Sequence, residues 1–151
     1  MNPIRRVVFD TSTLVSAALR IGSVPHHALL QVLGSCDLCA SSETLAELER
    51  VLDHKKFDRY LDQESRQVFV ALIRRNVQLF AVTDADMKAA QPSCRDSMDN
   101  KFLALALAAE ADAIVRSDEE LLVLDPWRAI AILTPARFLA GPGSLPKAGG
   151  S

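Results

Sequence analysis

At 151 residues the chain has the length of one domain, and a domain of this size buries a substantial core. A hydrophobic fraction of 49% against 24% charged excludes wholesale disorder. No apolar run reaches the roughly twenty residues needed to cross a bilayer, and the start MNPIRRVVFD has neither a signal-peptide core nor a cleavage site. A cytoplasmic protein without membrane association is expected. The formal charge of −2 shows no basic excess of the kind that marks many nucleic-acid binders. A site gathering carboxylates for metal would lower that sum without removing local basic patches.

In chain order, Arg5 to Phe9 is a short β-branched run ending at Asp10, and TSTLVSAALR after it is a helix opened by hydroxyl residues. A second helix fits Pro25 to Leu33, with Pro25 in its first turn and Gly34 as its stop. Cys36 to Ala40 is a small strand. Ser41 or Ser42 caps the helix ETLAELERVLDH, and an amphipathic helix over Gln63 to Arg75 precedes an apolar strand, Val77 to Val82. A polar stretch around Pro92 leads into SMDNKFLALALAAEA, whose Ala and Leu content makes it helical. A strand at Ala113 to Val115, a short acidic helix at DEELLVL, a strand at Ala129 to Leu133 and a helix at Pro135 to Ala140 complete the order.

Strands alternating with helices imply an α/β fold: a central parallel sheet of about five strands flanked by helices on both faces. The domain is expected over residues 1–140, with the Gly-, Pro- and Ser-rich residues 141–151 as a flexible C-terminal tail. In such sheets the ligand crevice lies outside the carboxyl ends of the strands. Asp10 stands there after the first strand, and Asp118 follows Ala113 to Val115 in the same way.

Each acid has a plainer reading. Asp10 is a good helix N-cap, though Thr11, Ser12 and Thr13 could do the capping instead, which makes a carboxylate less necessary for structure. Asp99 begins the stripe continued by Phe102, Leu103 and Ala106. An inward charge there is costly unless paired, hydrogen-bonded or on a metal. The helix dipole offers a bland alternative, but Asp96, one turn earlier, adds repulsion that a cation would relieve. Around Asp118, Ser117 and Glu120 have the spacing of a capping box. Glu47 borders the apolar stripe of Leu45, Leu48 and Leu52, and no local pattern sets it apart from a solvated glutamate. Taken together, four acids at strand ends and on helices favour a hard cation, Mg2+ or Mn2+.

The segments VVFDTSTLVSA, SSETLAELERVL, CRDSMDNKFLALALAAEADAIV, SDEELL and ILTPARFL in this order resemble the PIN-domain nucleases, in particular the VapC-like toxins of bacterial toxin–antitoxin pairs. The likeness spans about the first 140 residues. It implies the PIN-like three-layer fold, with Asp10, Glu47, Asp99 and Asp118 as catalytic metal carboxylates. Asp96 would be a further metal ligand, Glu120 an accessory acid, and Ser12 a hydrogen-bonding aid. It also implies in-line hydrolysis of RNA phosphodiester bonds, metal activating water and easing departure of the leaving oxygen. A homodimer and a cognate antitoxin would be the protein partners. Arg116 departs from the pattern, because many members carry Thr there; an arginine could contact phosphate, or pair with a carboxylate and weaken metal binding.

Other features carry less. Cys36, Cys39 and Cys94 are an odd number of thiols without export signals, so free thiols are expected. The CxxC of Cys36 and Cys39 has no second pair to complete a zinc site and opens no helix. His26 and His27, adjacent on a helix, face different ways. Arg5, Arg6, Arg20, Lys55, Lys56 and Arg59 are the cations that could follow an RNA backbone, HKKFDR being the densest cluster, which a solvated helix face explains equally well. A haloacid-dehalogenase-like phosphotransferase needs a second Asp two residues after the first, where this chain has Ser12. A degenerate nuclease fold acting as a binding or scaffolding module is the remaining alternative, with Arg116 as its one sequence hint.

Overall fold

The computed structural model describes residues 3–90, 97–117 and 126–141, and side chains throughout these except at 97–99. Five parallel strands form one sheet in the order β3-β2-β1-β4-β5. They are β1 (Arg6–Phe9), β2 (Asp37–Ala40), β3 (Val77–Leu79), β4 (Ala113–Val115) and β5 (Ala131–Leu133). The helices among the described residues are α1 (Thr11–Leu19), α2 (Val24–Ser35), α3 (Ser42–Leu52), α4 (Gln63–Asn76), α5 (Asp84–Ala90), α6 (Ser97–Ala109) and α7 (Pro135–Ala140), with a single 3-10 turn, η1, at Lys55–Phe57.

Burial on both faces explains why the central strands are apolar runs rather than alternating ones. Side chains one residue apart still point to opposite sides. Val7, Phe9, Leu38, Ala40 and Val115 pack into a core under α1 to α4 and α7. Val8, Cys39, Ile114 and Ile132 face the other way, into a core capped by α6. The result is the expected three-layer α/β sandwich. Leu103 of α6 is fully buried in the second core; Leu103→Ala is expected to cost about 2–5 kcal/mol, measured by urea denaturation against the parent chain.

Several boundaries differ from the sequence expectation. Gly34 does not stop α2, which runs on to Ser35 and ends where Cys36 turns extended (φ −134°, ψ 176°). A glycine ends a helix by taking positive φ, and Gly34 is not among the residues that do. The strand expected over Val77 to Val82 is confined to Val77–Leu79. It is an edge strand pairing only with β2, which itself ends at Ala40. The strand expected from Ala129 starts at Ala131, because Arg128 (φ 52°) and Ala129 (φ 66°) adopt left-handed turn conformations that a strand excludes. Helix α5 was not anticipated. Its start carries a reciprocal cap: Thr83 N donates to Asp86 Oδ2 at 3.0 Å and Asp86 N to Thr83 Oγ1 at 3.1 Å, the T-x-x-D pattern legible in the sequence. The helix expected at DEELLVL and the tail residues 142–151 lie outside the described residues.

The chain runs outward from β1 to β2 and β3, then returns to place β4 on the other side of β1. This reversal makes the carboxyl ends of β1 and β4 the topological switch point, where open parallel sheets form their crevice.

Candidate metal-dependent nuclease site

Asp10 is the first residue beyond β1 and lies at that switch point, only 2% exposed. It caps α1 itself. Oδ1 accepts from Thr13 N at 2.9 Å and Oδ2 from Ser12 Oγ at 3.1 Å. The expectation that the following hydroxyls could take over capping is therefore corrected: an N-cap needs extended backbone, and Asp10 (φ −75°, ψ 165°) is the residue that has it. Thr11 and Thr13 are already within the helix.

Arg116, the first residue beyond β4, reaches across the switch point. Its Nε lies 3.3 Å from Asp10 Oδ2, and both side chains are almost wholly buried. Of the two roles open to Arg116 from the sequence, the pairing with a carboxylate is the one present. Burial nonetheless pushes the Asp10 carboxyl above its ordinary pKa of 3.8. The hydrogen bonds from Thr13 and Ser12 and the charge of Arg116 oppose that rise without cancelling it. An ionised carboxylate in this place is costly, and a cation would relieve the cost.

Glu47 is brought to the same edge by α3. Ser41 caps that helix in a capping box with Thr44, and the buried stripe of Leu45, Leu48 and Leu52 fixes its rotation, which leaves Glu47 beside the stripe. Thr11 Oγ1 donates to Glu47 Oε1 at 3.1 Å, and Lys101 Nζ of α6 lies 2.8 Å from the same oxygen. The Glu47 side chain is 13% exposed. Thr11, adjacent in sequence to Asp10, thus ties α3 to the end of β1, while Lys101 ties the first turns of α6 to α3. Asp99 stands in that part of α6, two residues before Lys101. Phe102, Leu103 and Ala106 form the buried face expected of this helix.

Asp10 and Glu47 therefore share one edge of the sheet, with the start of α6 beside them. The Asp99 side chain and residues Asp96, Asp118 and Glu120 lie outside what is described. Among the described residues, no group of three or more His, Cys, Asp or Glu side chains is arranged to hold a metal ion. Thr11 and Lys101 were not singled out from the sequence. Thr11 read as a cap, and Lys101 follows Asp99 by a spacing that puts the two on different sides of a helix. Their partnership with Glu47 exists only across 36 and 54 residues of chain.

The remaining motifs have plain structural roles. Cys36 and Cys39 are free thiols, and burial pushes Cys39 up to about 11, the mark of an inert thiol. Cys94 is outside the described residues. His26 Nδ1 accepts from Gly22 N at 3.0 Å, inside the turn between α1 and α2. No described helix is long and apolar enough to cross a membrane.

Fold and site together define a parallel α/β protein that presents carboxylates at its switch point. More particularly, the chain belongs to the PIN-domain nuclease family, whose pattern, the PIN domain, matches residues 6–120. No curated protein matches it in sequence. Among solved structures it is similar to PAE2754 from Pyrobaculum aerophilum, at TM-score 0.65 and 15% identity over 90% of this chain and 93% of that one. VapBC2 from Rickettsia felis, solved bound to a DNA fragment from the promoter, gives TM-score 0.57 and 15% identity, covering 85% of this chain and 98% of its own. VapC20 from Mycobacterium tuberculosis, described as a sarcin–ricin loop cleaving toxin, gives TM-score 0.54 and 17% identity over 83% and 98%. At these identities what is shared is the fold.

Proposed function

We propose that the protein is a metal-dependent endoribonuclease, the toxin of a toxin–antitoxin pair acting in the cytoplasm. Its substrate is RNA, and its protein partners are a second copy of itself and a cognate antitoxin. Residues 1–140 would be the nuclease unit, with 141–151 as a flexible tail. The observation that carries this reading is the buried Asp10 at the switch point, joined through its neighbour Thr11 to Glu47. The VapC20 and VapBC2 likenesses support the RNA target and the toxin–antitoxin setting.

The residues present fit a hard divalent cation, Mg2+ or Mn2+. All the candidate donors are oxygens, and both bonds made by Glu47 fall on Oε1, which leaves Oε2 to turn toward a cation. Asp10, Glu47, Asp99 and Asp118 would hold it, with Asp96 as a further ligand and Ser12, Glu120 and Arg116 as accessory groups. When bound, the cation supplies activation of water and stabilisation of the leaving oxygen. The chain's own residues prepare the ground. Ser12 and Thr13 fix the Asp10 carboxylate in one rotamer, and Lys101 and Arg116 offset carboxylate charge that would otherwise repel a phosphate.

Purified protein is expected to cut RNA with Mg2+ or Mn2+ and to stop in EDTA, with Asp99→Asn as impaired as chelation. Cleavage that survives both EDTA and Asp99→Asn would overturn the proposed site. One feature favours a second reading, a scaffolding or binding module: both described carboxylates already hold an internal cation, Arg116 on Asp10 and Lys101 on Glu47. RNA binding without cleavage at any metal concentration would select it.

A further inference from the structure

A groove of about 500 Å3 runs from the candidate site along α1, α3 and η1. Thr11, Ser12 and Glu47 line it together with Phe57 and Tyr60, so one of the proposed metal carboxylates, Glu47, faces it. Its lining is mixed: Val15, Leu19 and Val51 are apolar, and Arg20 and Lys56 bring positive charge. The Tyr60 side chain also lines it while remaining 57% exposed.

The segment that carries Tyr60 is anchored to α4 by side-chain contacts. Arg66, buried in α4, pairs with Asp58 at 2.8 Å, Asp53 accepts from Gln63 Nε2 at 2.8 Å, and Asp62 caps α4. The acids of residues 53–62 are thereby engaged in fixing the backbone. Lys55, Lys56 and Arg59 form no ion pair among the described residues, and neither does Arg20. Lys56 Nζ and Arg59 Cζ instead lie 5.1 Å and 5.4 Å from the Phe57 and Tyr60 ring centroids. An exposed ring beside cations that make no ion pair among the described residues matches the chemistry of single-stranded nucleic acid, whose bases stack on aromatic faces while its phosphates follow positive charge.

We propose that this groove is the path of the RNA strand leaving the cleaved bond, with one base stacked on Tyr60 and the neighbouring phosphates taken by Lys56 and Arg20. The assignment rests on the ribonuclease reading. It makes Tyr60 a positioning residue and confines the substrate to unpaired RNA, because a base inside a duplex cannot reach the ring. A strand lying here would have its scissile phosphate beside Glu47 and Ser12, which line the same groove.

The test is binding of a fluorescein-labelled single-stranded RNA, read by anisotropy in EDTA so that no cleavage intervenes. Tyr60→Ala should weaken binding by about five- to a hundredfold, the range set by one stacked base, and Tyr60→Phe should restore it. Lys56→Gln should weaken binding and lower the slope of log affinity against log salt by about 0.7, one phosphate contact on a single strand. A fully paired blunt-ended RNA duplex, which offers no unstacked base, should compete poorly. If wild-type protein cuts and binds RNA but Tyr60→Ala binds within twofold of it, the groove assignment is overturned while the nuclease reading stands. The groove would then be left to a protein segment, detectable as Tyr60-dependent binding of an amphipathic peptide. Wild-type protein that neither cuts nor binds RNA overturns both.

Discussion

Asp10→Asn is expected to lower metal-dependent RNA cleavage on the order of a thousandfold while leaving the fold intact. Asparagine caps helices as well as aspartate does, so the bond from Thr13 N at 2.9 Å survives. What is lost is the buried negative charge. Metal-borne charge stabilisation supplies several kcal/mol to such reactions, and each 1.4 kcal/mol or so is tenfold in rate. Single-turnover cleavage in Mn2+, set beside thermal denaturation of the same preparation, reads both quantities. Cleavage within tenfold of the parent would remove Asp10 from the mechanism.

The same residue predicts a pH dependence. Burial raises the Asp10 pKa in the folded protein above 3.8, so the native state holds that proton more tightly than the unfolded chain does. The stability this confers is complete below the ordinary value and lost as pH rises through the raised one. In its ionised form the buried carboxylate is a net cost, which a bound cation offsets. The rise in Tm produced by Mn2+ is therefore expected to be large at pH 7.5 and to fade on acidification at a higher pH than an unperturbed aspartate would give. A rise that stays constant down to the ordinary carboxylate range would refute the linkage.

Replacing Arg116 has the second large effect, and its direction separates two views of the site. The guanidinium stands 3.3 Å from Asp10 Oδ2 in a buried pair. A fixed positive charge beside a metal ligand repels the metal. Unit charges 4 Å apart interact by about 4 kcal/mol at an effective dielectric of 20, and even a fraction of that corresponds to tens-fold in affinity. Arg116→Thr and the volume-matched Arg116→Met are expected to bind Mn2+ roughly ten- to a hundredfold more tightly in calorimetric titration without RNA. Without metal both variants should be less stable by about 3–5 kcal/mol, because a buried carboxylate loses its partner, and saturating Mn2+ should recover much of that loss. Unchanged or weaker Mn2+ binding would mean that Arg116 supports the site rather than competing with its cation.

The fold was largely readable along the chain because its signals are local. Short β-branched runs before hydroxyl-rich helix starts, Pro25 and Pro135 in first turns, and the Ala- and Leu-rich run of α6 each encode an element within a few residues. Helix α5 was missed although its Thr83–Asp86 cap is a local signal; the strand boundaries were missed where a neighbour or a backbone angle decides. β3 stops early because its only partner strand stops, and β5 starts late because two residues take positive φ.

The candidate site divides in the same way. The sequence by itself determined the parallel α/β class, from the alternation of strands and helices, and the place of Asp10 after a buried strand and of Asp99 at the head of an apolar helical stripe, from patterns within one or two adjacent elements. Glu47 was indistinguishable there from a solvated glutamate, and Thr11 read as a cap. Only the tertiary structure decided that Thr11 and Lys101 both turn to Glu47, that Arg116 pairs with Asp10 rather than facing solvent, and that Tyr60 lines the same groove as Glu47. These contacts join strands, helices and a 3-10 turn that lie far apart in the chain. Their distances are set by how the two cores pack against the sheet, and no pattern within a single element carries that information.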